Sequence, residues 1–261
     1  MELYCQQQIL LQAGSGYGTS GTTPFASNLN DIPNVRKVLI DKGCPDDGQL
    51  SLVYNTLAGV NIRNLSNLYK VNEAGGDDLL RQGVLLDLYG MKIRESAQVQ
   101  QHVAGSGASY VVNGATAKGA TSIVIKTGTG TVLAGDIISI ASAGGTFNYV
   151  VKTGVAAAGT IVIQGTQGLM VAAADGDVVT IKASFTGNLA IHRAAAELAM
   201  RPIKMPYGGD IAADRMTVQD PYSGLIFELA VYKGYQKVMI EVGCLYGVGV
   251  WKPDFIAIHQ G

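Results

Sequence analysis

Histidine, cysteine and tryptophan are scarce in this chain, with three, three and one copies in 261 residues. So few histidines leave little for metal binding or acid–base chemistry. His102, His192 and His259 stand far apart, with no HExxH or His-x-His spacing and no carboxylate at ligand spacing. Cys5, Cys44 and Cys244 form no CxxC and no Cys/His cluster. An odd, sparse count supplies no disulfide framework and suits small apolar residues in a reducing compartment. Charge is also low: 15% of residues are charged and the formal net charge is -1. No overall basic field gathers phosphates, so specific nucleic-acid binding is not expected. No apolar run approaches the roughly 18 residues that span a bilayer. The first residues lack the positive and apolar regions of a secretory signal, because Gln6, Gln7 and Gln8 interrupt them. The expectation is a soluble cytoplasmic product with no membrane partner.

What the chain does have is 48% hydrophobic residues and 34 glycines, the composition of a folded protein rich in strands and turns. Residues 2–12 read as a helix that starts without a cap, followed by a glycine-rich loop over 14–21. The spacing of Val35, Val38 and Leu39 behind Asp31 and Pro33 predicts a helix over 31–41. Residues 50–54 read as a buried strand, and Asn55 caps a helix carrying Leu57, Ala58, Ile62 and Leu65. Residues 84–95 suggest an extended segment bent at Gly90. A helix is expected from Asn188 through Met200, with Leu189, Ile191, Ala195, Leu198 and Ala199 on one face and Pro202 closing it. Beyond it come the hairpin 216–232, turning at Asp220-Pro-Tyr-Ser-Gly224, and strands at 237–242, 248–251 and 255–258.

Between Asn113 and Gly187 the composition shifts. The only charged residues are Lys118, Lys126, Asp136, Lys152, Asp175, Asp177 and Lys182, among short β-branched runs broken by glycine. The segment also repeats itself. Ile123-Val-Ile125, Gly135-Asp136 and Ile137-Ile-Ser-Ile140 are echoed by Ile161-Val-Ile163, Gly176-Asp177 and Val178-Val-Thr-Ile181. Two copies are too few for a solenoid and suit a barrel or sandwich whose halves pack together. The expected organisation is an inserted all-β domain at 113–187, flanked by 1–112 and 188–261 as two parts of one α+β core.

No catalytic constellation stands out. Gly14-Ser-Gly16-Tyr-Gly18 has no strand before it, and Gly128-Thr-Gly130 has neither a following helix nor a lysine, so neither makes a phosphate cradle. No Gly-x-Ser-x-Gly elbow is present. Arg193 and Glu197 would be an ordinary i, i+4 surface pair on the expected helix. A hydrolase survives only if Asp210, Asp214 and His192 meet in space. No catalytic, cofactor-binding or metal-binding residue is assigned, and no cofactor is expected.

Several stretches resemble major coat proteins of short-tailed temperate phages: Tyr17-Gly-Thr-Ser-Gly-Thr-Thr-Pro-Phe25, Leu79-Leu-Arg-Gln-Gly-Val-Leu-Leu-Asp-Leu-Tyr-Gly90 with Ile93-Arg-Glu-Ser96, Gly187-Asn-Leu-Ala-Ile-His-Arg193 through Leu198-Ala-Met-Arg-Pro202, Asp220-Pro-Tyr-Ser-Gly-Leu225 and Tyr246-Gly247. Each is weak alone; the ordered set is more specific. The resemblance implies the capsid fold common to tailed phages, the Johnson fold, with an extra β domain inserted. It implies a structural subunit of an icosahedral phage or prophage capsid, self-assembling without catalysis. Its partners are then other copies of itself and scaffolding and portal proteins, and its place is the virion shell after the host cytoplasm. Members also carry a long N-terminal arm, loop and backbone helix, so residues 2–13 would be the tail of that helix in a truncated chain. The other reading is a β-rich binding module of a phage tail or adhesin.

Overall fold

The computed structural model describes residues 1–69, 87–205 and 207–261. The chain divides into two compact units, Met1–Ala196 with Val250–Gly261, and Glu197–Gly249. The elements run α1 (Glu2–Leu10), β1 (Ser15–Gly18), α2 (Asp31–Asp41), β2 (Leu50–Tyr54), α3 (Thr56–Asn64), α4 (Ser66–Tyr69), β3 (Met91–Glu95) and β4 (Gln101–His102). Next come β5 (Tyr110–Val112), β6 (Ser122–Lys126), β7 (Ile137–Ser142), β8 (Gly145–Thr153), β9 (Gly159–Ile163), β10 (Val178–Ile181) and β11 (Phe185–His192). The smaller unit carries β12 (Ala196–Arg201), β13 (Asp214–Gln219), β14 (Ile226–Gly234), β15 (Lys237–Gly243) and β16 (Leu245–Val250), and β17 (Ile256–Gln260) ends the chain.

In the larger unit one sheet has the order β1-β17-β11-β2-β3, with β4 also on β11. Its alternating side chains feed two cores, as the pleat requires. On one face Leu50, Leu52, Tyr54, Ala190 and Ala257 meet Ile32, Val35 and Leu39 of α2 and Ala58 and Ile62 of α3. The helix α2 occupies the expected 31–41, and Asn55 caps α3 by accepting a hydrogen bond from the Ala58 N–H at 3.0 Å. On the other face Leu189, Ile256 and Ile258 pack with Ala13, Ile9 and Leu10 near α1 and with Ile137 and Val150 of the barrel.

The barrel closes in the order β10-β5-β6-β9-β8-β7 around Tyr110, Ile123, Ile125, Ile138, Ile140, Val151, Ile161, Ile163 and Val179. The sequence repeat reappears in its pairing. Ile123 faces its own counterpart Ile161 across β6 and β9, and Ser139 faces its counterpart Thr180 across β7 and β10. The two Gly-Asp turns are twins as well. Asp136 accepts from the Leu133 N–H at 2.7 Å and Asp177 from the Ala174 N–H at 2.8 Å. The bridges Thr116–Ala173 and Val132–Val155 are related in the same way. An approximate two-fold relation therefore exchanges β5, β6 and β7 with β8, β9 and β10.

Three expectations are corrected. The chain is not built on an α+β Johnson-fold core: strands dominate the described residues, in several sheets and a closed barrel, and helices are few. The helix expected over 188–200 is absent. Residues 185–192 form the central strand β11, hydrogen-bonded to β17 on one side and β2 on the other, and 196–201 form β12. Asn188 caps nothing; its side chain accepts from the Asn55 N–H at 3.0 Å and donates to the His259 carbonyl at 3.1 Å. Tertiary pairing has overridden an alanine-rich pattern with good helix propensity. The glycine-rich loop over 14–21 begins instead as strand β1, parallel to β17. Gly14 is required there by close approach, since a Cβ would lie 2.6 Å from the Pro253 carbonyl oxygen. Residues 84–86 of the expected extended segment lie outside the described residues; β3 covers its end.

Candidate functional site

His102 and His192 are each held by one carboxylate. His102 Nε2 lies 2.8 Å from Asp136, which is fully buried and also accepts from the Gly105 and Leu133 N–H groups. His192 Nε2 lies 3.0 Å from Asp47, and this hydrogen bond holds the Asp47 carboxyl below its usual range. Of the residues in the Asp210–Asp214–His192 constellation, His192 belongs to the larger unit and the two aspartates to the smaller. His192 bonds to Asp47 within the larger unit, whereas Asp210 in the smaller unit bonds to Arg215 and to the Tyr232 hydroxyl. The expected helical pair Arg193 and Glu197 loses its basis, because no helix runs there. Among the described residues no group of three or more His, Cys, Asp or Glu side chains is placed to hold a metal ion, and no helix is long and apolar enough to cross a membrane.

His259 is different. Its ring sits among Tyr17, Phe25 and Tyr54, and its Nε2 lies 3.7 Å from Asp31. The distance alone would make an ion pair. Burial, however, pushes the imidazole down to about 4, so the ring is neutral near pH 7 and the contact is not an ion pair; burial also raises the Asp31 carboxyl. Beside this group a cavity of about 260 Å³ is lined by Thr19, Thr22, Thr23, Asn28 and Gln260. His259 Nδ1 and both amide atoms of Gln260 are buried with no hydrogen-bond partner among the described residues. Buried polar atoms left open in this way are uncommon. The threonines of the 17–25 stretch were visible in the sequence; that β17 would bring His259 and Gln260 to the same cavity was not.

The smaller unit has the opposite problem. Its three-stranded sheet has the order β13-β14-β15, and β12 pairs separately with β16. One sheet face is organised by Arg215, which bridges Asp210 and Glu228, while Glu228 accepts from the Ile203 N–H at 3.0 Å. By pairing register the other face carries Met216 and Val218, Phe227, Leu229 and Val231, and Val238, Ile240 and Val242. This apolar face is uncovered: Met216, Val238, Ile240 and Val242 are 56%, 64%, 67% and 63% exposed. Ala230 is the one buried apolar residue among the described residues of the unit, and it lies on the Arg215 face. The period-two apolar pattern was legible in the sequence. The missing cover was not, because strand alternation announces a buried face without saying what buries it.

No family model matches the sequence, and no curated protein matches it. Among solved structures the chain is similar to one from Mycobacterium phage Che8, at 14% identity and a TM-score of 0.42, over 96% of this chain and 54% of that one. The chain thus spans about half the length of that neighbour.

Proposed function

We propose that this chain is a structural subunit of a phage shell, acting by repeated self-association and performing no catalysis. The observation that carries the reading is the uncovered apolar face of the smaller unit, whose sheet has almost no interior of its own. A three-stranded sheet holds its shape when such a face is packed against something, and large exposed apolar patches mark interaction surfaces. The ordered coat-protein stretches of the sequence support the same reading, which does not depend on the α+β core. Other copies of the chain are the main partners, with scaffolding and portal proteins following from the resemblance. The site of action is the virion shell, reached from the host cytoplasm.

Sedimentation of the purified chain over a range of concentrations, with electron microscopy of the heavier fractions, tests this. Concentration-dependent oligomers are expected, and a chain that stays monomeric at every concentration overturns it. A second reading, a β-rich binding module, is favoured by the threonine-lined cavity with the open amide of Gln260. A carboxamide offers a donor and an acceptor together, the pattern that suits vicinal sugar hydroxyls. Saturable binding of a neutral monosaccharide, lost in Gln260→Leu while the chain stays monomeric, would favour that reading instead.

A further inference from the structure

The free edge of β15 carries a self-complementary pattern. The β14–β15 hairpin turns through Tyr235 and Gln236, so Gly234 and Lys237 form its hydrogen-bonded closing pair. From there the pattern alternates. Met239 and Glu241 direct their backbone groups toward β14, and Val238, Ile240 and Val242 direct theirs away from it. No strand pairs with that outer side among the described residues, and residues 237–242 are all exposed. A bare edge of this length, without proline or a bulge, is a template for another strand.

We propose that β15 pairs antiparallel with β15 of a second copy of this chain, about a two-fold axis through Met239. This rests on the reading of the chain as a self-associating subunit and names the surface and the register. Register follows from two constraints. Outward-facing residues must oppose outward-facing ones, so a residue and its opposite number must sum to an even value. Among the symmetric registers this allows, charge selects. Centring on Met239 sets Lys237 opposite Glu241 of the second copy, twice over by symmetry, and sets Val238 opposite Ile240 as a hydrogen-bonded pair. Centring on Glu241 opposes two like carboxylates. Centring on Val238 or Ile240 leaves both charges facing uncharged residues. The Met239-centred pairing is also the one that puts Lys237 and Glu241 in a non-hydrogen-bonded pair, where side chains approach most closely. The axis stands perpendicular to the sheet, so the apolar face of one copy continues into that of the other.

Cross-linking and charge reversal of the full chain test this together. In the Met239-centred register the two Met239 Cα atoms lie about 4.5 Å apart, within the disulfide range of about 4.4–6.8 Å. Met239→Cys should therefore give a disulfide-linked dimer on mild oxidation. Val242→Cys, away from the axis, should not, and the parent chain with its three native cysteines sets the background. Lys237→Glu and Glu241→Lys should each weaken dimerisation about tenfold or more by opposing like charges, and the double exchange should restore it. All four positions are exposed, and circular dichroism checks that each variant keeps its fold. Association in sedimentation without the Met239→Cys dimer, or without a response to charge reversal, overturns the β15 register and leaves the self-association reading standing. A chain that is monomeric throughout and fails to cross-link overturns both.

Discussion

At the scale of single residues, His259 makes a pH prediction with a definite sign. Its folded value, about 4, lies below the roughly 6.5 of an unfolded histidine. Below about pH 6.5 the unfolded chain takes up a proton that the folded one refuses. The neutral ring's contribution is therefore complete above that pH, falls on acidification, and levels off below about 4. The full loss is about 3 kcal/mol. Asp31, raised by burial, has the opposite slope and offsets part of it. His259→Phe keeps an aromatic ring among Tyr17, Phe25 and Tyr54 and removes the titration, so its urea midpoint should vary less between pH 7 and 4 than that of the parent chain. An unchanged profile would assign the acid sensitivity elsewhere. Packing makes a second prediction. Leu39 is fully buried under the main sheet, and Leu39→Ala should cost about 2–5 kcal/mol. Ile226, in the smaller unit, is only half-buried, and its replacement by Ala should cost about 1 kcal/mol. Equal losses by denaturant unfolding would mean that Ile226 is packed as tightly as Leu39.

At the scale of elements, what the sequence revealed depended on whether a signal was local. The α2 helix and the Asn55 cap arise from residues a few positions apart and were legible. The barrel's repeat was legible because both copies carry the same strand–Gly-Asp–strand string, and its turns are closed by Asp136 and Asp177 within three residues. The helix expected over 188–200 failed for a non-local reason. β11 is a strand because β17, from the far end of the chain, and β2, from near its beginning, pair on its two sides, while Gly187 makes room for Leu10. Nothing within 188–200 encodes those neighbours. The expected α+β class failed with it, since it leaned on that helix and on a resemblance in short stretches. The candidate surfaces were half legible. The apolar alternation over 216–242 and the threonines of 19–23 could be read directly, whereas the lack of cover on one and the unpartnered amide of Gln260 near the other depend on which distant segments pack there.

For the whole molecule, the two units should differ in stability. Three buried clusters all lie in the larger unit, and the smaller one has little beyond Ala230 and the Arg215 network to hold it. Sub-global opening follows the density of buried contacts. Hydrogen exchange on the dilute chain should show β13, β14 and β15 exchanging well before β7, β8 and β11, with the gap narrowing as concentration rises. Equal protection at high dilution would show that the smaller unit is complete alone.

The two-fold relation inside the barrel has a consequence for how such a ring could arise. Its strands β5, β6 and β7 meet β8, β9 and β10 at four pairings, β5–β10, β6–β9, β7–β8 and β7–β10. At two of these seams, β6–β9 and β7–β10, a residue faces its own equivalent, Ile123 with Ile161 and Ser139 with Thr180. A seam of that kind asks the same thing of both sides, so one half already specifies its mate. A gene encoding the half once would make a peptide whose ring is completed by a second molecule. Fusing two such genes would turn that encounter into a single chain, and later drift would leave the kind of divergence seen between Ile137-Ile-Ser-Ile140 and Val178-Val-Thr-Ile181.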